Sequence, residues 1–255
     1  MKRDLVIAIA GTDTFLGAAL EARLRDAGHT VLPLPREIGL LPGCDVLIQL
    51  GGEDLVSRLP DAVTLPKVFL YASSTDYYGH RPGESLDELC PPGRGPRAQA
   101  RAAAEAEALR AGALGIRTVI LRFGEILDPS GGYLGRMLPL MRRGLCFVMG
   151  NPQDRFAWIS LEDALRLIEF AMRKEIRGAL NAVAPVAATQ GAFARAAAAL
   201  ARRRLLGSLR SRFLRTRLGV LADIRDVAPA RALQEGFGFV HPTLQFWRSH
   251  ESRTA

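Results

Sequence analysis

Residues Asp4 to Gly17 read DLVIAIAGTDTFLG, and the fold follows from this stretch. Leu5 to Ala10 is an uninterrupted apolar run. A strand buried on both faces of a parallel sheet reads this way, whereas a half-exposed strand alternates. A glycine-bearing turn comes next, then FLGAALEARLRDAG. In it Phe15, Leu16, Ala19, Leu20 and Leu24 recur at helical spacing, and Gly28 suits the position just past a helix end. Strand, tight turn and helix N-terminus in this order make a dinucleotide site, because the N–H groups of the first helical turn and the positive end of its dipole attract a pyrophosphate. Gly11 and Gly17 hold the outer positions of G-x-x-G-x-x-G, and Thr14 holds the middle one. The middle residue sets how closely the backbone approaches the pyrophosphate. Thr14 narrows that gap, while its hydroxyl offers a donor to phosphate. An ordinary βα turn uses glycines in the same places for backbone geometry alone, so the motif leaves both readings open.

Composition bounds the rest. At 255 residues the chain is one large α/β domain or a domain with a smaller lobe, and its 48% apolar and 24% charged residues are those of a globular protein. The net charge of +8 is carried almost wholly by arginine, since only Lys2, Lys67 and Lys174 are lysine. With so much alanine beside it, this is the signature of a GC-rich coding sequence rather than of nucleic-acid binding. Cys44, Cys90 and Cys146 are odd in number and far apart, and the four histidines are scattered. Reduced thiols, a cytoplasmic location and no metal site are expected. The opening MKRDLVIAIAG imitates a secretory signal only superficially, because its apolar run is short and no cleavage-type site follows. No apolar run reaches the length of a membrane span.

Along the chain, His29 to Leu34 reads as a second strand ending at Pro35 and Arg36. At the tip of that strand an acid pairs with a ribose 2′-hydroxyl and an arginine with a 2′-phosphate, so Arg36 favours NADP(H) over NAD(H). In so arginine-rich a chain, a solvated loop arginine is the plain alternative. EIGLLPGC leaves hardly any room for a helix before the third strand, DVLIQLGG (Asp45 to Gly52). EDLVSRLPDAVTLP is short for a crossover helix and carries Pro60 and Pro66. KVFLYA (Lys67 to Ala72) is the next buried strand, running into Ser73, Ser74, Thr75, Asp76, Tyr77, Tyr78 and Gly79. Hydroxyls there stand at the carboxyl end of a parallel strand, where open α/β sheets bind ligands. HRPGESLDELCPPGRGP is an irregular loop, RAQARAAAEAEALRAG a helix closed by Gly112, and RTVIL a strand. Later come a turn at PSGGYLG, a short helix MLPLMRRGL, and strand, turn and strand in CFVMGNPQDRFAWIS. A helix over Leu161–Arg173 and the strand ALNAVA lead to a long basic helix, Ala192 to Gly219. A final short helix and strand-like FGFVHP close the chain. Alternating strands and helices predict an α/β protein with a Rossmann-type, doubly wound parallel sheet. The dinucleotide-binding core is expected over 1–130 and 157–185, and a smaller C-terminal substrate lobe over 131–156 and 186–255.

Taken in order, AGTDTFLG, DVLIQLGGE, SSTDYYG, RFGEIL with SGGYLGRMLP, FAWISLEDA, ALNAVAPV and EGFGFVHPTL resemble one family over nearly the whole length. It is the atypical extended short-chain dehydrogenase/reductases, the epimerase-like relatives of nucleoside-diphosphate-sugar epimerases. The resemblance implies an NAD(P)-binding Rossmann core with substrate held by the C-terminal lobe. It also implies that Gly11, Thr12, Phe15, Leu16 and Gly17 face the cofactor pyrophosphate and that Leu50, Gly51 and Gly52 line its adenosine side. Ala72 and Ser73 would lie at the cofactor, and Ser74 would polarise a substrate carbonyl with Tyr78 beside it. Such enzymes carry Tyr-x-x-x-Lys on the following helix. Aligned through RAQARAAAE, Arg97 stands at the tyrosine position and Arg101 at the lysine position. Arginine stays protonated and exchanges no proton near neutral pH, although Arg101 retains a charge to hold ribose or phosphate. The shortened EDLVSRLPDAVTLP lies where relatives place part of a dimer-forming helix pair, so a monomer or weak dimer is expected.

Two functions follow. In one, an epimerase or reductase acts on a small-molecule carbonyl or sugar nucleotide, with Ser74 and Tyr78 as its catalytic groups. In the other, a degenerate, non-catalytic member binds a dinucleotide or a partner as a sensor or assembly factor. One of Tyr77 and Tyr78 suits the core; Asp76, the one nearby carboxylate, suits either a proton carrier or a turn, Asp163 suits a helix N-terminus, and Trp158 suits the core rather than a substrate platform. Nucleic-acid binding through Arg202 to Arg217 is not expected. Only Phe213 is aromatic there, and Leu205, Leu206, Leu209, Phe213 and Leu214 read as a packed helix face.

Overall fold

The apolar run after Asp4 forms β1 (Val6–Ala10) at the heart of a parallel sheet. It pairs with β2 (Thr30–Leu34) on one side and β3 (Val46–Gln49) on the other. Its burial on both faces is what the unbroken run requires, and Ile7, Ala8 and Ile9 are fully enclosed. The structure, a computed structural model, describes residues 4–37, 39–51, 55–209 and 226–244. Next to β3 lies β4 (Val68–Ser74), followed by the strands Arg117–Phe123 and Gly178–Ala182, so six strands stand in one sheet. The chain goes from β1 to β2 and then returns across β1 to begin β3. Strand order therefore reverses beside β1, which is the topological switch point of a doubly wound Rossmann-type sheet. β2 lies at the edge, where Pro33 removes no ladder hydrogen bond that the sheet needs.

Helix α1 (Phe15–Asp26) buries Leu16, Leu20 and Leu24, and Gly28 takes the left-handed conformation, φ 86°, that ends it. Among the described residues, the connection between β3 and β4 holds a short 3₁₀ turn, Val56–Asp61, with Pro60 inside it, and no longer helix. Leu55 and Leu59 of this segment are buried among Ala8, Leu47 and Phe69, so a few leucines do the covering that a crossover helix does elsewhere. Helix α2 (Pro96–Leu109) starts on a proline, whose missing N–H costs nothing in a first turn. It ends in a 3₁₀ turn closed by left-handed Gly115, not by Gly112.

The chain divides into two compact units. One comprises Met1–Tyr77, Pro96–Arg122 and Leu165–Leu180, and the other Tyr78–Gly95, Phe123–Ala164 and Asn181–Ala255. Residues 78–95 thus fall with the second unit, although the core boundaries drawn from the sequence, 1–130, include them. Ser85–Leu86 pairs in parallel with Asp226–Val227, and that ladder joins the loop to late sequence. The second unit has its own apolar cluster, including Tyr133, Phe156, Trp158 and Phe193. Trp158 is core, as expected, and its indole N–H donates to the Val186 carbonyl at 3.0 Å.

Three expected elements differ. Helix α3 (Gly132–Arg142) starts before MLPLMRRGL because Tyr133 and Leu134 belong to its buried face. The basic helix stops at Leu200, Arg202 turns left-handed, and Gly207–Leu209 pairs with the strand Phe147–Met149. Residues 210–225, and with them Phe213, Leu214 and most of the basic stretch, lie outside the described residues. FGFVHP is not a strand: the N–H groups of Val240 and His241 donate to the buried Asp163 carboxylate, each at 2.8 Å. Asp163 does lie in the first turn of the helix Leu161–Arg173. Among the described residues, no helix is long and apolar enough to cross a membrane and no cluster could hold a metal ion. All three cysteines are free, and burial pushes the Cys44 thiol up to about 11 and raises that of Cys146, so neither is a ready nucleophile.

Candidate functional site

The switch point places the glycine turn at the carboxyl end of β1. Ala10, Gln49 and Tyr71 share one row of the sheet, so Gly11, Leu50 and Ala72 open the next row together. Gly11 is left-handed, φ 90°, and a Cβ on it would meet Gly51 N at 3.0 Å. Gly17 is more constrained. A Cβ there would lie 2.0 Å from the Gly11 carbonyl oxygen, so helix α1 packs against the turn in a way only glycine permits. Above the turn is a cleft of about 510 Å³, lined by Gly11, Thr12, Asp13, Thr14, Arg36, Gly51 and Leu55 among others.

Of the residues expected at the cofactor, Gly11, Thr12, Thr14, Arg36 and Gly51 come together on this cleft. Leu16 and Gly17 are buried beneath the turn, Phe15 is half-buried, and Leu50 packs against Gly11. Gly52 lies outside the described residues. Arg97 and Arg101 are exposed on α2, and Ala72 and Ser73 lie at the end of β4.

Thr14 has a structural part beside its place on the cleft. It is the N-cap of α1: its hydroxyl accepts the Gly17 N–H at 3.0 Å and donates to the Gly11 carbonyl at 2.7 Å. Its single hydroxyl hydrogen is thus committed to the backbone and is not offered to a phosphate. Thr14→Ala is expected to cost about 1 kcal/mol, a fall of roughly 2–4 °C in the thermal midpoint of a chain this size. Thr14→Ser should keep the wild-type midpoint. An unchanged midpoint in the alanine variant would show that the cap contributes nothing. The three leucines α1 buries contribute about 1.5–3 kcal/mol each, so the helix itself survives the change.

Arg36 is not a lone loop arginine. Its Nε and Nη2 both donate to Asp13 Oδ2, at 3.2 and 2.5 Å, across the mouth of the cleft. The hydrogen bond and charge of Arg36 hold the Asp13 carboxyl below the usual carboxylate range, and the same contact raises Arg36.

At the end of β4, Ser73 and Ser74 differ. The buried Ser73 hydroxyl donates to Glu105 Oε1 at 2.6 Å. Glu105, on α2, receives Arg122 Nε at 3.0 Å and Nη2 at 2.8 Å, with both side chains 5% exposed. Arg122 also lies over the Tyr77 ring, 3.4 Å from its centroid. Ser74 is half-buried and accepts the Asp76 N–H at 3.0 Å. The Asp76 backbone thus lies in the turn that follows β4.

Tyr78 also has a partner inside the protein. It is fully buried and its phenol donates to Asn181 Oδ1 at 2.7 Å. Asn181 in turn gives its Nδ2 to Ala228 O, and its N–H to Glu88 Oε1, whose other oxygen takes the Arg231 N–H. A phenol enclosed in this way joins β4's end to Asn181 inside the protein and is not presented to solvent at the strand end. Of the two tyrosines Tyr78 is the core residue, and half-buried Tyr77 is the more open one. Glu105, Arg122 and Asp13 escape sequence reasoning. The visible signals were an acid inside an alanine-rich helix and an arginine ending an apolar strand.

No family model matches the chain. An epimerase family protein of Mycobacterium bovis is 30% identical to it over 287 residues, covering 94% of this chain and 95% of that one. The chain belongs to the epimerase family. The human epimerase family protein SDR39U1 is 27% identical over 93% of this chain and 96% of its own length. Among solved structures, human epimerase family protein SDR39U1 (isoform 2), determined with NADPH, superposes with a TM-score of 0.85 at 24% identity. It matches over 98% of this chain and 100% of its own. A nucleoside-diphosphate sugar epimerase of Corynebacterium glutamicum gives 0.77, over 98% of this chain and 58% of its own. These likenesses bear out the fold of this epimerase family member and the short-chain dehydrogenase/reductase relationship read from its motifs.

Proposed function

We propose that this epimerase family protein binds a nicotinamide dinucleotide in the cleft at the end of β1, NADP(H) in preference to NAD(H), and uses it on a small carbonyl or sugar-nucleotide substrate. The observation that carries the reading is the glycine cradle, where positions 11 and 17 exclude any side chain and bring backbone to the cleft floor. A pyrophosphate needs that approach. The residues fit the group. Gly11 and Thr12 would hold the pyrophosphate, Gly51 the adenosine side, and Arg36 a 2′-phosphate. The bound dinucleotide would supply hydride transfer. A relative solved with NADPH supports the choice.

Ser74 is the group we assign to the substrate. Accepting the Asp76 N–H leaves its hydroxyl hydrogen as what it offers to a carbonyl oxygen. Substrate would be held by the later segments, 131–156 and 186–255, with the protein acting in the cytoplasm as a monomer or weak dimer. Buried Tyr78 and the arginines at 97 and 101 favour a second reading, a dinucleotide-binding member without turnover.

Titration of nicotinamide fluorescence tests both. NADPH should bind more tightly than NADH by roughly tenfold, the worth of one charge-assisted hydrogen bond of about 1.5 kcal/mol. Ser74→Ala should lower turnover of any carbonyl or sugar nucleotide and leave NADPH affinity unchanged. Binding of neither dinucleotide removes the proposal. Binding without turnover by the wild type selects the second reading.

A further inference from the structure

Resting on that cleft assignment, the geometry points to Asp13 as a specificity-determining residue, a built-in competitor of the 2′-phosphate for Arg36. The Nε–Nη2 edge of a guanidinium is a face that grips phosphate oxygens. Here that edge is already taken, both donors converging on one Asp13 oxygen. The two residues lie 23 positions apart, one in the glycine turn and one past β2, so only the switch-point packing joins them. Both side chains are largely exposed, Arg36 85% and Asp13 54%, and both line the cleft. The pair is therefore reachable by a ligand and is not a core contact.

A 2′-phosphate arriving at Arg36 must displace this carboxylate or lie beside it, and two anions on one cation repel. A ribose 2′-hydroxyl meets no such opposition, since a carboxylate accepts its hydrogen. Asp13 thus penalises NADPH and not NADH. It narrows the preference that Arg36 creates, and the ratio of the two affinities is set by the pair and not by the arginine alone.

The test is a double-mutant cycle read by fluorescence titration of NADPH and NADH. Asp13→Asn is expected to raise the NADPH-to-NADH affinity ratio by roughly fivefold, through tighter NADPH binding. Asp13→Ala should do the same, and NADH affinity should not rise in either variant. In an Arg36→Gln background, Asp13→Asn should recover less than half of that gain. Three results overturn the inference. The first is a ratio that falls or does not move, which would make Asp13 a support for Arg36. The second is an equal gain in both backgrounds, which would be charge repulsion without competition. The third is an equal effect on both dinucleotides. Failure of the wild type to bind either dinucleotide overturns the cleft assignment together with this inference, whereas wild-type binding with an unmoved ratio overturns only the role of Asp13.

Discussion

Gly17→Ala is expected to weaken NADPH binding by at least about a hundredfold and to destabilise the fold by about 3 kcal/mol, the upper end for overpacking. The methyl would stand 2.0 Å from the Gly11 carbonyl oxygen and 2.8 Å from Gly11 C and Thr12 Cα. All three are backbone atoms, so no side chain can rotate away. Nor can the turn retreat. Gly11 already lies against Leu50 and Gly51, with its own Cβ position 3.0 Å from the Gly51 nitrogen. Helix α1 must therefore lift off the turn, which widens the cradle and breaks the Thr14 cap. Gly28→Ala is the contrast. That glycine is left-handed but faces open space, so the change costs only backbone strain of about 1 kcal/mol and leaves the cleft alone. Urea unfolding and NADPH titration of the two variants separate the effects. Near-wild-type affinity in Gly17→Ala would mean that the turn can yield.

Arg122→Met is expected to cost about 3–5 kcal/mol, the range for stranding one partner of a buried ion pair. Glu105 would keep only the Ser73 hydroxyl among the partners described above. At roughly 2–4 °C per kcal/mol, the thermal midpoint should fall by about 6–20 °C. Replacing both charges, Glu105→Leu with Arg122→Met, should recover most of the loss, because the pair's own net contribution is small once desolvation is counted. Circular dichroism melts of the single and double variants measure this. A single variant that loses under about 1 kcal/mol would mean water reaches Glu105. The pair also sets the strand end. It engages the Ser73 hydroxyl, leaving Ser74 as the more open serine, and it places a guanidinium on Tyr77.

The sheet was legible because burial on both faces leaves a mark in one dimension. Leu5–Ala10, Asp45–Gly52, Lys67–Ala72 and RTVIL are apolar runs that only a doubly covered parallel strand requires, and each became a strand of the sheet. The glycine turn was legible for a similar reason, since Gly11 and Gly17 are demanded by backbone crowding within seven consecutive residues. What the sequence could not carry is which polar group is spent internally. Thr14 is equally suited to a phosphate or a helix cap, and only the tertiary structure shows its hydroxyl on Gly11 O and Gly17 N. Tyr77 and Tyr78 are adjacent and chemically alike, yet one meets Arg122 and the other Asn181, 103 residues away. Asp13 with Arg36, Glu105 with Arg122, and Asp163 with Val240 are likewise joined by packing. Periodicity records which residues leave water. It holds no distances between segments far apart in the chain, and hydrogen bonds and ion pairs are decided by those distances.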